Sequence, residues 1–353
     1  MGNIFYRTYP KKFNKDKSNL GFFDIYDLDQ RFMALKILGI DFILIEDIFK
    51  RDRDFLDFSQ INKIFGQNQD FINQISKAHD LNLGIFLRLD LSKIKKISKK
   101  NIKAVLNFWI NKGVDGFILD DFSNSSKFLG ENIKSLKNSY KKIKFILNTS
   151  DKKKDEIFDG HVDFYFWKNS KNLDLRKFIL DKNKNDLAFA LNGDYEFLCE
   201  KFLDFKHFYT NCSKLMAIIS IIRSEDIFIK EGEEILYYKK EIDSKIRKEI
   251  FDFYRKIFLI RYDYLDIIKE GYYPLNFKSK DLLSYFYYND NKALVILNNL
   301  SQKDVLFELP GFFNIKKSKF IIGNISQREI FKNINLRAYE SIVFTCPIKK
   351  YKL

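Results

Sequence analysis

Six side chains in this 353-residue sequence belong to the types that bind transition metals or act as soft nucleophiles: Cys199, Cys212, Cys346, His79, His161 and His207. Their spacing argues against both roles. An odd number of cysteines with no close pairs fits reduced thiols better than a disulfide framework. The sequence contains no C-x-x-C, H-E-x-x-H or G-x-x-x-x-G-K-[ST] string, so the spacings that build zinc sites and phosphate loops are missing. The three histidines share no common period, and each reads as structural or exposed rather than catalytic. Neither a metal nor a cofactor is expected.

Composition narrows the class. Hydrophobic residues make up 46% and aromatics 17% of the chain. That is enough apolar area to offset the entropy of ordering, which excludes a disordered chain. The formal net charge is +15, and 50 of the 62 basic residues are Lys. Readers of nucleic acid lean on the planar guanidinium of Arg, so nucleic acid is not an expected partner. The runs Lys95-Lys96, Lys99-Lys100 and Lys152–Lys154 fall between elements and read as solvated faces. The opening MGNIFYRTYPKKF has no apolar leader core, and Tyr6 breaks the myristoylation pattern begun by Gly2. The longest apolar runs, such as Leu215–Ile219, are too short to span a bilayer. A cytoplasmic protein with no membrane span is the expectation.

The elements that would position any site come in a regular order. Short apolar runs recur at Ile4–Tyr6, Asp41–Ile45, Gly84–Leu89, Gly116–Leu119, Lys144–Asn148, Val162–Phe166, Leu187–Leu191 and Ile227–Ile229. Near-continuous apolar strands of this kind are buried on both faces, as in parallel βα units. Helical periodicity fills the gaps. Leu28, Phe32, Leu35 and Leu38 form one stripe stopped by Gly39, and the pattern returns in Phe71–His79 and in Ile102–Ile110 before Gly113. Eight such units in about 270 residues predict an α/β fold, a (β/α)8 TIM barrel over residues 1–270. A helix over Ser244–Ile268 leads out of it. From 271 to 353 the texture is all β: strand-like runs at Leu282–Tyr288, Ala293–Asn298, Val305–Leu309, Lys319–Ile322 and Ser341–Cys346 predict a small C-terminal β-sandwich.

Motifs in order along almost the whole chain resemble the α-amylase superfamily, glycoside hydrolase family 13, nearest its oligo-1,6-glucosidase and α-glucosidase branch. IFYRTYPKKF resembles the family's Y-Q-I-Y-P-R-S-F, and LKILGIDFILIEDIF resembles L-K-x-L-G-V-D-x-I-W-L-x-P-I-Y. RDFLDFSQINKIFGQNQDF resembles Y-D-I-S-D-Y-x-x-I-D-P-x-F-G-T-x-x-D-F, and AHDLNLGIFLRLDL resembles A-H-x-x-G-I-K-V-I-x-D-L. FWINKGVDGFILDD resembles F-W-x-x-K-G-V-D-G-F-R-x-D-A. LNGDYEF resembles x-N-H-D-Q-P-R, KEGEEI resembles Y-Q-G-E-E-I, and INLRAYESIVF resembles L-x-P-Y-E-A-x-V-Y.

The resemblance implies a retaining glycosidase site, with a nucleophilic carboxylate and a protonated carboxylic acid about 5–5.5 Å apart. Carried over by position, the nucleophile is Asp120, the strand-seven transition-state stabiliser is Asp194, and the Asp of the Y-D pair is Asp54. The third-strand Asp falls on Asp90 with a two-residue insertion after His79, and on Arg88 without it. Asp54, Asp90, Arg53 and Arg88 are therefore the expected substrate-contacting positions.

Other family positions are lost. Asn148 stands where the acid Glu belongs, Ile118 where an Arg supports the nucleophile, and Gly193 and Arg53 where a His and a Tyr grip sugar hydroxyls. A Lys, Lys93 or Lys95, takes the third-strand His position. An amide cannot supply the general acid's roughly 10²–10⁴ in rate. Asp120 beside an apolar Ile118 is expected to have a raised pKa. Asp151 or Glu156 is the candidate for a relocated acid. The domain that the family inserts after strand three is missing, since little more than one helix fits between Asp90 and Gly116. Only Asp16 and Asp24 remain of the family's metal loop, so no bound Ca²⁺ is expected.

The resemblance thus predicts an α-glucosidase-like protein of carbohydrate metabolism, a pseudoenzyme with its catalytic machinery degraded. It would be inactive or very weak, retaining at most the binding of an α-glucoside or oligosaccharide, or of a protein partner. The alternative is an active retaining α-glycosidase or glucosyltransferase, using Asp120 and a relocated acid.

Overall fold

The computed structural model describes residues 2–8, 28–52, 55–63, 66–93, 101–120, 126–149, 156–162, 164, 187–190, 205–236, 242–275, 279–289 and 292–348. Its first part alternates strands and helices. In chain order these are β1 (Ile4–Thr8), α1 (Leu28–Leu38), β2 (Phe42–Ile45), β3 (Phe49–Asp52), β4 (Phe55–Ile61), α2 (Asn68–Asp80), β5 (Gly84–Leu89), α3 (Ile102–Asn111) and β6 (Gly116–Asp120). Then follow α4 (Ser126–Ser139), β7 (Lys144–Asn148), β8 (Gly160–Val162), β9 (Leu187–Ala190), α5 (Phe205–Ile221), β10 (Ile227–Lys230), α6 (Ser244–Asp263) and the short α7 (Leu265–Ile268). Strands β1, β2, β5, β6, β7, β8, β9 and β10 pair in parallel and close on themselves through β1–β10. This is the predicted (β/α)8 barrel, and each of the eight expected apolar runs overlaps a strand, the Val162–Phe166 run only at Val162, where β8 ends.

The alternation of side chains along a strand sorts the apolar residues into two cores. On β5, Ile85, Leu87 and Leu89 face the outer helices, while Phe86 joins the barrel interior with Phe5, Leu44, Ile118, Ile146, Val162 and Phe228. The interior is aromatic: Phe5 stacks on Phe228 with centroids 4.5 Å apart and meets Phe86 edge-on at 5.0 Å. Gly116 opens β6 because a Cβ there would lie 2.2 Å from the Phe86 ring. Gly39, with φ of 98°, stops α1 as its position predicts, and the Ile40 N–H turns back to the Leu35 carbonyl.

Two features of the barrel differ from the sequence expectation. Strands β3 and β4 form an antiparallel hairpin after β2, where no strands were expected. The single helix expected over Ser244–Ile268 breaks at Tyr264 into α6 and α7.

The remaining strands are β11 (Tyr272–Leu275), β12 (Leu282–Asn289), β13 (Lys292–Asn299), β14 (Val305–Glu308), β15 (Lys319–Gly323), β16 (Asn333–Leu336) and β17 (Ser341–Pro347). They make a five-stranded sheet in the order β11-β12-β13-β17-β15 and a two-stranded sheet of β14 and β16. Val295, Leu297 and Phe344 of the first share a core with Phe307 and Leu336 of the second. Strands β11 and β16 add to the five runs read from sequence. Among the described residues no helix is long and apolar enough to cross a membrane.

Candidate functional site at the barrel mouth

Barrel strands carry function at their C-terminal ends, and period two fixes which residues point inward there. Two positions beyond the apolar layer of Phe5, Leu44, Phe86, Ile118, Ile146, Val162 and Phe228 stand Arg7, Glu46, Arg88, Asp120, Asn148, Phe164 and Lys230. One spacing rule therefore produces a polar layer on top of an aromatic one.

That layer is a chain of hydrogen bonds crossing neighbouring strands. Arg7 Nη2 donates to Glu46 Oε1 and Oε2 at 3.2 and 3.1 Å. Arg88 Nη1 donates to Glu46 Oε1 at 2.8 Å. Arg88 Nη2 donates to Asp120 Oδ2 at 2.8 Å, and its Nε reaches Oδ1 and Oδ2 at 2.9 and 3.0 Å. Asn148 Nδ2 donates to Asp120 Oδ1 at 2.8 Å, while the Phe164 N–H donates to Asn148 Oδ1 at 2.9 Å. The backbone donor fixes which end of the amide faces Asp120. The Phe164 ring covers the array, 3.9 Å from the Arg7 guanidinium and 5.1 Å from that of Arg88, a cation–π arrangement.

Burial sets the electrostatics. Glu46 is 1% exposed. Burial alone would raise its pKa, but Arg7 and Arg88 together hold the carboxyl below the usual range. Asp120 goes the other way: burial pushes it up, and Arg88 and Asn148 oppose that only in part. The expected direction for Asp120 therefore holds, with burial as its cause. Against that rise a cation reaches Asp120 from the next strand, because Arg88 sits in register with Ile118. Both oxygens of Asp120 are engaged, and Asn148 has no acidic proton to give.

Asp90, the other candidate for the third-strand position, follows β5 at the same mouth. It pairs with Lys93 at 2.6 Å and accepts from the Ser92 hydroxyl at 2.5 Å. Burial raises its carboxyl, but Lys93 and Ser92 outweigh this and lower it. Glu156 is exposed. The candidates Arg53, Asp54, Asp151 and Asp194 lie outside the described residues, as do Lys95, Asp16, Asp24, Gly193 and Cys199. His79 meets Asp115 at 2.9 Å, His161 is buried, and His207 is exposed on α5. Sequence reasoning missed Arg7 and Glu46, which hold the array together. The signal was available: each stands two residues beyond an inward apolar residue of its strand.

No protein-family model matches the chain. A trehalose-6-phosphate hydrolase of Bacillus subtilis is 32% identical over 101 residues, 28% of this chain and 18% of that protein. An oligo-1,6-glucosidase of Parageobacillus thermoglucosidasius is 32% identical over 113 residues, 30% of this chain and 20% of that protein. Each match thus spans about a fifth of the relative's length. An α-amylase of Dictyoglomus thermophilum is 21% identical across 88% of this chain and 71% of its own length. Among solved structures, the trehalose-6-phosphate hydrolase of Bacillus licheniformis superposes with a TM-score of 0.78 at 16% identity, covering 98% of this chain and 99% of that one. The isomaltulose synthase of Erwinia rhapontici does so with a TM-score of 0.77 at 14% identity, covering 98% of each chain. With the closed barrel, these likenesses join the motifs read along the chain, and together they support assigning the chain to the α-amylase superfamily.

Proposed function

We propose that this chain is a non-catalytic α-glucosidase-like protein, inactive or at most very weak as a glycosidase. One observation carries the reading: the carboxylate at the nucleophile position is consumed inside the protein. Asp120 spends its oxygens on Arg88 and Asn148, and Asn148 occupies the acid position. A retaining mechanism needs a free nucleophile and a proton donor on opposite sides of one bond. Arg7 and Arg88 are likewise paired inside the layer, with Glu46 and Asp120.

What is left to the mouth is binding. Asp54, Asp90 and Asp194, with Arg53, are the positions that would meet an α-glucoside or oligosaccharide from outside, and a protein partner is the other candidate ligand. In this reading residues 1–270 form the barrel unit and 271–353 the β unit.

The test is incubation of the purified chain with maltose, isomaltose, sucrose, trehalose and trehalose 6-phosphate. No product above the buffer blank is expected. Robust turnover that Asp120→Asn abolishes would overturn the proposal and restore an active enzyme with a relocated acid at Asp151 or Glu156.

A further inference from the structure

Strand β15 is an outer strand of the five-stranded sheet. Strand β17 pairs with one side of it, and among the described residues no strand pairs with the other. The opposite outer strand, β11, carries Pro274, which has no N–H to offer a further strand. Strand β15 has no proline. Just beyond it the Asn324 N–H donates to the Ser341 carbonyl at 3.1 Å. Alternation along the ladder therefore turns the N–H and C=O of Gly323 outward. Open backbone of this kind is a template for one more strand.

The surroundings of this edge are shaped for side chains as well. A groove of about 680 Å³ runs between residues 320–323 and α6, where Phe253, Leu259 and Ile260 line it. A second, of about 540 Å³, lies between Phe320 and the group Ile315, Ile330 and Phe331. They open on opposite faces of the sheet. Ile322, Phe253 and Ile260 belong to the core shared with the barrel, whereas Phe320, Ile315 and Ile330 pack on the core between the two sheets. Each groove exposes one large apolar side chain, Leu259 at 57% and Phe331 at 59%. Side chains of an added strand alternate between the two faces, so two successive residues would fall one into each groove.

Charge selects the occupant. Lys256, Lys316, Lys317 and Lys319 are exposed around the edge and form no ion pair among the described residues. Of the acidic residues lining the grooves, Glu249 pairs with Lys214 and Asp252 with Arg255, which leaves Glu329. The surplus is positive. A second copy of this chain would bring the same lysines and a net charge of +15, which opposes self-pairing at this edge. We propose that the open edge of β15 docks an extended acidic segment of a partner protein. The segment adds a strand to the sheet, sets a pair of apolar side chains in the two grooves, and meets the lysines with its flanking carboxylates. The site is on the β unit and does not depend on whether the barrel mouth binds sugar.

The probe is a short fluorescein-labelled peptide with two central valines flanked on each side by glutamates, titrated into the full chain and followed by anisotropy. Saturable binding is expected, with hydrogen exchange of the chain slowed over Lys319–Gly323 and unchanged over β6. A peptide with lysines in place of the glutamates should not bind, nor should the acidic peptide N-methylated through its centre, which cannot donate to β15. Lys316→Glu combined with Lys319→Glu should weaken binding about tenfold. Both side chains are exposed, so the fold should persist, as circular dichroism checks, and the methylated peptide needs no variant at all. Absent binding of the acidic peptide, undiminished binding of the methylated or the basic one, or binding that leaves exchange over Lys319–Gly323 unchanged overturns the proposal. A dimer of the free chain with this segment already protected would place a second copy on the edge and overturn it too.

Discussion

Arg88 decides how the mouth behaves, because it pairs with both Glu46 and Asp120. Removing one partner of a buried ion pair leaves an uncompensated charge and costs about 3–5 kcal/mol. Arg88→Met should therefore lower the unfolding free energy in urea by about 3 kcal/mol. Adding Asp120→Asn should recover part of that loss, because it removes the stranded charge. Neither variant should gain glycosidase activity, since Asn148 still supplies no proton.

Acid stability tests the other end of the chain. Glu46 is held low by its two arginines, so its contribution to stability is present above the ordinary carboxylate value and lost as pH falls through the folded-state value. Asp120, raised by burial, has the opposite sign: its contribution is present at low pH and lost as pH rises. Glu46→Gln should therefore be less stable than wild type at pH 7, and the gap should close towards pH 3, as followed by thermal melting across that range. Asp120, Asn148 and the loss at Ile118 were legible as residue types. Their mutual bonding was not, because a family motif fixes positions along a strand and says nothing of what a neighbouring strand has changed.

Among the elements, the barrel strands were readable because burial on both faces leaves a nearly unbroken apolar run, and α1 because its stripe ends at Gly39. The β3–β4 hairpin was not. Its sequence, FKRDRDFLDFSQI, is dense in charge, and among its described side chains only Phe49, Phe58 and Ile61 are buried. What holds it is tertiary. Trp109 of α3 is fully buried, donates its indole N–H to the Phe58 carbonyl at 2.6 Å, and meets Phe49 edge-on at 6.0 Å. Trp109→Phe would leave that buried carbonyl unpaired and vacate volume, at a cost of about 2–3 kcal/mol. Hydrogen exchange should quicken in peptides covering Phe49–Ile61 more than in those covering β6 or β7. Uniform quickening would mean that Trp109 supports the barrel at large and not the hairpin. Strands β11 and β16 were overlooked for a related reason: each is only four residues long and exposes two of them, so neither presents a continuous apolar run.

At the scale of the whole molecule, the sequence suggested two units meeting near residue 270, and the interface argues that they unfold as one. Tyr285, Tyr287, Leu294, Ile296 and Val343 of the β unit belong to the same apolar core as the barrel's outer helices. The Tyr287 hydroxyl donates to the Ile222 carbonyl at 2.8 Å, and the Asn324 amide to the Asn211 carbonyl at 2.9 Å. Arg261 is fully buried on α6 and donates to the carbonyls of Gly2, Arg223 and Glu225 at 2.8–2.9 Å. It thus ties the chain's first barrel strand to the helix that leads out of the barrel. A barrel without the β unit would expose a large part of that shared core, and apolar area returned to water costs about 25 cal/mol per Å². Cutting the chain after residue 270 should therefore yield a fragment without a cooperative melting transition, whereas the full chain should show one transition by both near- and far-ultraviolet circular dichroism. Arg261→Met should lower the temperature of that single transition without splitting it. Two separable transitions in the full chain, or a 1–270 fragment that melts cooperatively near the full chain's temperature, would show that the two units are energetically independent.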